Sequence, residues 1–508
     1  MYFFNTKTRR TLGRSVGSLT ILLLSPGCTT LAPHHALSSP AIEYRSSELA
    51  THCLAQYEHF DETVKEHKAA DSGATRIPGY PYLRTNRFLA SFQHELDSQE
   101  KLTFWLSEMA KIDNKKRQIE YKNLPLSTQK KISPQGEKAL FNQLKNCSDW
   151  LQHQDIAHPQ SLLYLKENAQ VPSDYNPHAR WPGIHPLVNL FLRKGVADWH
   201  EAVHETFTNQ RPSAVNSSLP LIRYAPEKIL SAQEKKITLS DLKQATKNPL
   251  GAPDVDDRLM QKLFLTFAPI WEIETKTGAD LIGSPYWKST QQPDVDTKAR
   301  VQFTYPTYTR LNGHSLLQLN YVIWFKARPK TNIFDLLGGQ LDGLTWRVTL
   351  GASGNPLLYD AIHNCGCYHM LFHGPGLTPK PTFSKNIEPP LLLPAPSFSN
   401  AQQITIKLSA RDHQIQAVFS EKDTTSDISY TLKPYQELLA LQTPKGYQSL
   451  FDKKGFISGT ERAERFFFWP TGVTNAGAMR QKGRHVTAFI SERHFDDPRL
   501  IEELFIRR

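Results

Sequence analysis

The chain has 508 residues, enough for two domains or one with large insertions, since domains usually run to about 100–200 residues. Hydrophobic residues make up 39% and charged residues 21%, a balance that excludes both a polytopic membrane protein and a wholly disordered chain. The 60 Lys and Arg exceed the 49 Asp and Glu, but no basic block stands out, so the excess of +11 suits an anionic envelope surface as well as nucleic acid.

Lys7, Arg9, Arg10 and Arg14 precede a short apolar run, Val16 to Leu24, which falls short of the ~20 residues a spanning helix needs. The run leads into Leu24-Ser25-Pro26-Gly27-Cys28-Thr29-Thr30. This leader resembles that of bacterial lipoproteins, in which a small residue precedes a cysteine that is lipidated and becomes the mature N-terminus. Ser25 stands where that family prefers Leu, with Leu24 one place further out. The resemblance covers only the leader. It implies a signal peptide over 1–27, lipid on Cys28 and a tether over 28–44. Thr29 in place of Asp implies the periplasmic face of the outer membrane. The implied partner is the bacterial membrane, with other envelope components beside it. No other segment of the sequence is long and apolar enough to span a bilayer.

The five cysteines are Cys28, Cys53, Cys147, Cys365 and Cys367. Lipidating Cys28 leaves four in a compartment where disulfides persist. Cys53 and Cys147 both sit in amphipathic, helix-like contexts, and a bridge between two packed helices is their natural pairing. Two free buried thiols are the alternative.

Residues 45–245 read as helical, with helix-length segments such as Thr85–Met109 and Ser161–Ala169. Phe88, Leu89, Phe92 and Leu96 share one helix face, and Leu102, Trp105, Leu106 and Met109 continue the spacing. The signal changes to strands near residue 263, within a β-rich region over 246–508. Val301–Leu311 and His314–Phe325 flank Asn312-Gly313, the strongest short hairpin signal. Trp346–Leu350 with Leu357–His363 predicts a second hairpin, and Ile404–Leu408 with Ile415–Phe419 a third. The proline-rich stretch 375–396 cannot donate to a ladder and reads as a loop. The expected fold is α+β, a helical N-terminal half packed against an antiparallel β-sheet C-terminal half.

Two places offer chemistry. His363, Cys365, Cys367 and His369 alternate around Gly366, and thiolate with imidazole suits zinc or copper. A straight strand spreads these donors over ~20 Å, so a shared metal needs a turn at Gly366. A packed or paired cysteine couple and thiol–disulfide chemistry stay open beside the metal, and His314 on a neighbouring strand is a further candidate ligand. The second place is His200-Glu201-Ala202-Val203-His204, which matches the His-Glu-x-x-His pattern of zinc metallopeptidases. On a helix the two histidines lie one turn apart and Glu201 is placed to polarise a bound water. Asp198 and Glu205 depart from the uncharged flanks of that family, and a solvated helix face is the competing account. Gln318 and Asn320 alternate on one strand face. Nucleotide-binding loops, a nucleophile elbow and nucleic-acid motifs are missing from the sequence.

A lipid on Cys28 makes a definite prediction. Cys28→Ser shifts the protein from the membrane to the soluble periplasmic fraction, and retention on membranes after a salt wash places the anchor elsewhere.

Overall fold

The computed structural model describes residues 43–180, 185–209, 219–289, 291–381, 387–396, 403–421 and 425–507. The leader, Cys28 and the tether lie outside these described residues. Three long helices build the N-terminal core: α1 (Glu48–Glu66), α2 (Gln99–Lys122) and α3 (Glu137–Ala157). Ser47 and Ser98 open α1 and α2 by accepting from the amides of Ala50 and Lys101. α4 (Pro159–Asn168) follows α3 with proline in its first turn, where no amide donor is needed. Cys53 and Cys147 form the expected disulfide between α1 and α3, with their Cα atoms 5.4 Å apart.

The single helix expected over Thr85–Met109 is broken. Asn86 caps a short helix, Arg87–Ala90, and the chain turns before Ser98 starts α2. The apolar spacing runs through the break because Phe92 and Leu96 still cover the same core from the turn. This half also holds a hairpin, Thr75–Ile77 with Tyr80–Thr85, which the helical reading did not contain.

That hairpin carries Arg84 into the interior, where it meets Asp113 at 2.9 Å and Glu120 at 2.6 Å. Arg117 joins the same group, at 2.7 Å from Asp113 and 2.6 Å from Asp61. Asp113, Arg117 and Glu120 follow one face of α2, so a charged stripe points inward there.

The C-terminal half is built on a curled sheet of thirteen strands: β1 (Leu221–Pro226), β2 (Ile270–Glu274), β3 (Ile282–Ser289), β4 (Gln292–Asp296), β5 (Val301–Leu311), β6 (His314–Arg328), β7 (Gly339–Leu350), β8 (Pro356–His363), β9 (Met370–His373), β10 (Leu391–Pro394), β11 (Gln403–Leu408), β12 (Ile415–Glu421) and β13 (Ile428–Pro434). Their order is β10-β9-β8-β7-β6-β5-β13-β1-β2-β11-β12, with β3 paired to β4 and β6. The sheet is mixed, which corrects the antiparallel expectation: β9/β10, β2/β11, β1/β13 and β5/β13 are parallel. All three predicted hairpins form, as β5–β6, β7–β8 and β11–β12. Asn312 and Gly313 both take positive φ, as that turn requires. The proline-rich loop contributes β10, whose Pro394 is tolerated because β10 is an edge strand. β1 enters the middle of the sheet from the region read as helical, so residue 245 is not a structural border.

Three helices cover one face: α5 (His185–Asn209), α6 (Ala232–Gln244) and α7 (Asp257–Thr266). Trp199, Val203 and Phe207 recur every fourth residue on α5 and pack against the core that holds Leu319, Tyr321 and Trp346. On the opposite face of β6, Val322 and Trp324 enter a second core, while Gln318 and Asn320 stay polar and buried.

Removing one member of the interior ion group strands its partner. We expect Glu120→Ala to destabilise the fold by about 3–5 kcal/mol, because the Arg84 guanidinium loses its bidentate acceptor without access to water. Chemical denaturation reads this as a lower midpoint; a midpoint like that of the parent contradicts it.

Candidate functional site

The segment between β8 and β9 turns sharply, as the shared-metal reading requires. Gly366 sits at φ +95°, and a side chain there meets the Val486 carbonyl oxygen at 2.3 Å. The turn is closed by the His363 amide on Cys367 O (3.0 Å) and the Gly366 amide on His363 O (2.7 Å). Arg480 Nε donates to Cys365 O at 3.0 Å.

The turn does not gather the four predicted ligands. His363 Nδ1 faces Asp342 at 3.7 Å and His369 Nε2 lies 3.0 Å from Asp360. Each imidazole is thus held by a different buried carboxylate. Cys365 and Cys367 are free thiols packed in the core with Met479 and Leu341, within hydrogen-bonding reach of one another. Among the described residues, no group of three or more His, Cys, Asp and Glu is placed to hold a metal ion. His314 is exposed at the far end of β6, ~30 Å along the strand from Ile323, which registers through Leu344 with His363.

His200, Glu201 and His204 lie on α5 beside the stripe Trp199–Val203–Phe207 that packs on the sheet. Glu201 and His204 are exposed. His200 is half-buried, and burial with its neighbour His204 pulls its pKa down to about 4. Among the described residues no third donor joins the pair. The helix repeat therefore produces the motif without a metal triad. His200, Cys365, Cys367 and His369 nevertheless line one pocket of about 60 Å³, walled by Trp199, Tyr368, Phe489 and Leu391.

A much larger space opens between the two halves. This cleft, about 1,340 Å³, has one face of α2 as a wall, the β5–β6 ladder as another, and the segment 482–484 at one end. Its sheet wall is polar. Gln318 Nε2 donates to Thr349 at 3.0 Å, and Asn320 Nδ2 donates to Tyr305 O and Thr307 Oγ1. Asn320 Oδ1 is buried and accepts from no described group. Arg347 also reaches the cleft, but Asp360 and the Phe495 carbonyl occupy its guanidinium.

Among the basic residues that line the cleft, Lys482 lies over aromatic rings. Its Nζ lies 4.6 Å from the Tyr305 ring centroid and 5.3 Å from that of Tyr435, and no carboxylate pairs with it among the described residues. Burial, helped by Lys116, pulls its pKa down to about 7. Lys116 is held by Asp71 at 2.5 Å, and Gln481 Nε2 donates to the same carboxylate at 2.8 Å. Tyr305 thus carries the amine over its ring and the Asn320 amide on its carbonyl. The sequence offered Asn320 only as one polar alternation; Lys482 gave no signal, because its neighbours come from α2 and β5.

No protein-family model, curated protein or solved structure matches the chain.

The predicted ligand His363 belongs instead to a buried network. Its partner Asp342 also takes His413 Nδ1 at 2.7 Å, and His413 Nε2 faces Asp280 at 3.4 Å. Burial opposes the imidazolium, but the two carboxylates outweigh it and raise the pKa of His413. The stability this supplies is complete below the ordinary histidine value and is lost as pH rises through the raised value. The gap in thermal midpoint between the parent and His413→Gln should therefore narrow from about pH 6 to pH 9. A constant gap contradicts a charged His413.

Proposed function

We propose that this chain is a lipid-anchored cell-envelope protein that binds an acidic, hydroxyl-rich ligand, an envelope glycan, in the cleft between its halves. One observation carries the reading: an amine with no ion-pair partner and a buried amide oxygen with no donor, among the described residues, share Tyr305 in the wall of a cleft large enough for several sugar rings. A hydroxyl supplies the missing donor for Asn320 Oδ1, and an acidic group supplies the anion for Lys482. The partly exposed rings of Phe104 and Tyr308 offer flat faces for sugar rings along the cleft. The polar groups are preset by Thr307, Thr349 and Gln481, so binding does not have to order them. A leader of lipoprotein type and the Cys53–Cys147 disulfide support an oxidising envelope address.

The test is co-sedimentation with purified peptidoglycan sacculi, with a neutral insoluble glucan as control. The parent pellets with sacculi and is released by salt. Lys482→Gln and Asn320→Leu each weaken pelleting about tenfold, the effect of losing ~1.4 kcal/mol, within the usual worth of a hydrogen bond to a charged or buried group. Parent-like pelleting by both variants, or equal pelleting with the neutral glucan, overturns the proposal.

A further inference from the structure

Six of the most exposed large apolar side chains lie in three segments that meet at one place. Ile333 and Phe334 are 86% and 80% exposed, Phe466 and Phe467 65% and 61%, and Leu190 and Phe191 68% and 69%. The Glu464 amide donates to Leu336 O at 3.2 Å, which joins the loop 329–338 to the short helix Arg465–Phe468. Leu192 and Phe468, close neighbours in sequence of the exposed residues, share one small core, which joins α5 to the same helix. Scattered exposed apolar residues are ordinary; this concentration is not.

The loop that carries the two most exposed residues is held in shape. Asp335 accepts from the amides of Thr331, Leu337 and Gly338, and Asn332 accepts from the Phe334 amide. Arg411 pairs with the same Asp335. Its tip is thereby presented outward as a formed structure. Basic groups border the apolar surface: Lys330 at the foot of the loop, and Arg465, whose guanidinium lies 4.8 Å from the Phe466 ring centroid. Glu464, the acid nearest this helix, is buried.

We propose that this apolar, cation-bordered surface docks on the anionic lipid bilayer, seating Ile333, Phe334, Phe466 and Phe467 at the level of the headgroups. The occupant follows from the chain itself, and this step rests on the envelope-anchor reading above. Between Cys28 and the first described residue, Glu43, stand 14 residues, which reach at most ~50 Å when extended. A body tethered that closely meets the bilayer continually, and an aromatic surface with a basic border is the chemistry that binds an anionic interface.

The test uses the mature chain, residues 28–508, carrying Cys28→Ser; it keeps every described residue and has no lipid. Sedimentation is measured with vesicles of phosphatidylethanolamine and phosphatidylglycerol, and with vesicles of phosphatidylcholine alone. Binding to the anionic vesicles that exceeds binding to the neutral ones is expected. It falls at least tenfold when Ile333, Phe334, Phe466 and Phe467 are all changed to Ser. These side chains already face solvent, so an unchanged thermal midpoint shows that the variant is folded; if it is not, the pair Ile333→Ser and Phe334→Ser is used, with at least a threefold loss expected. Absence of vesicle binding, equal binding by the substituted chain, or a dimer in sedimentation velocity that dissolves on substitution overturns the proposal. Because no lipid is attached in this assay, its failure leaves the Cys28 anchor standing, and failure of the anchor in cells leaves the vesicle result standing.

Discussion

The buried ion group around Arg84 and Glu120 ties the helical half to the segment that carries Lys482. Glu120 accepts from Arg84 and also from the amide of Asp71 at 2.9 Å. Asp71 in turn holds Lys116 and Gln481, and Gln481 is the residue before Lys482. One chain of charge-assisted hydrogen bonds therefore runs from the interior of the first half to Gln481 in the last thirty residues. Such a group is a poor source of net stability, since desolvating each charge offsets most of its attraction. Its value is positional: a charge with a single satisfactory arrangement fixes the elements that supply it.

Much of the secondary structure was legible in the residues. Asn312-Gly313 and the alternating strands on either side of tight turns are local signals, and the elements they mark are where the pattern put them. The disulfide was legible because both cysteines stood on helix-like patterns. The mixed character of the sheet was not. β13 pairs in parallel with both β5 and β1, across more than a hundred residues of sequence, and nothing local marks a partner so far away. The helix over Thr85–Met109 failed for a different reason, since apolar spacing records which residues face a core and not whether the backbone between them is continuous.

The site was harder still to read. His363 and His369 were prominent because four soft donors crowd into seven residues, yet Asp342 and Asp360 claim them from β7 and β8. A carboxylate that holds a buried imidazole from another strand is not marked by any local pattern. His200 and His204 repeat at helical spacing beside the residues that pack α5 on the sheet, so the motif records the helix. Lys482 and Asn320, which the cleft brings together on Tyr305, are 162 positions apart and belong to no motif.

The position of β13 governs the order in which the chain acquires its shape. β13 lies between β5 and β1, so the two wings of the sheet share no ladder until residues 428–434 arrive. The helical half and its disulfide draw nearly all of their core from residues up to 169, with Leu250 added later. A chain that emerges N-terminus first thus folds early where contacts are local, then waits with two incomplete sheet edges exposed. The seam strand is where aggregation competes with folding.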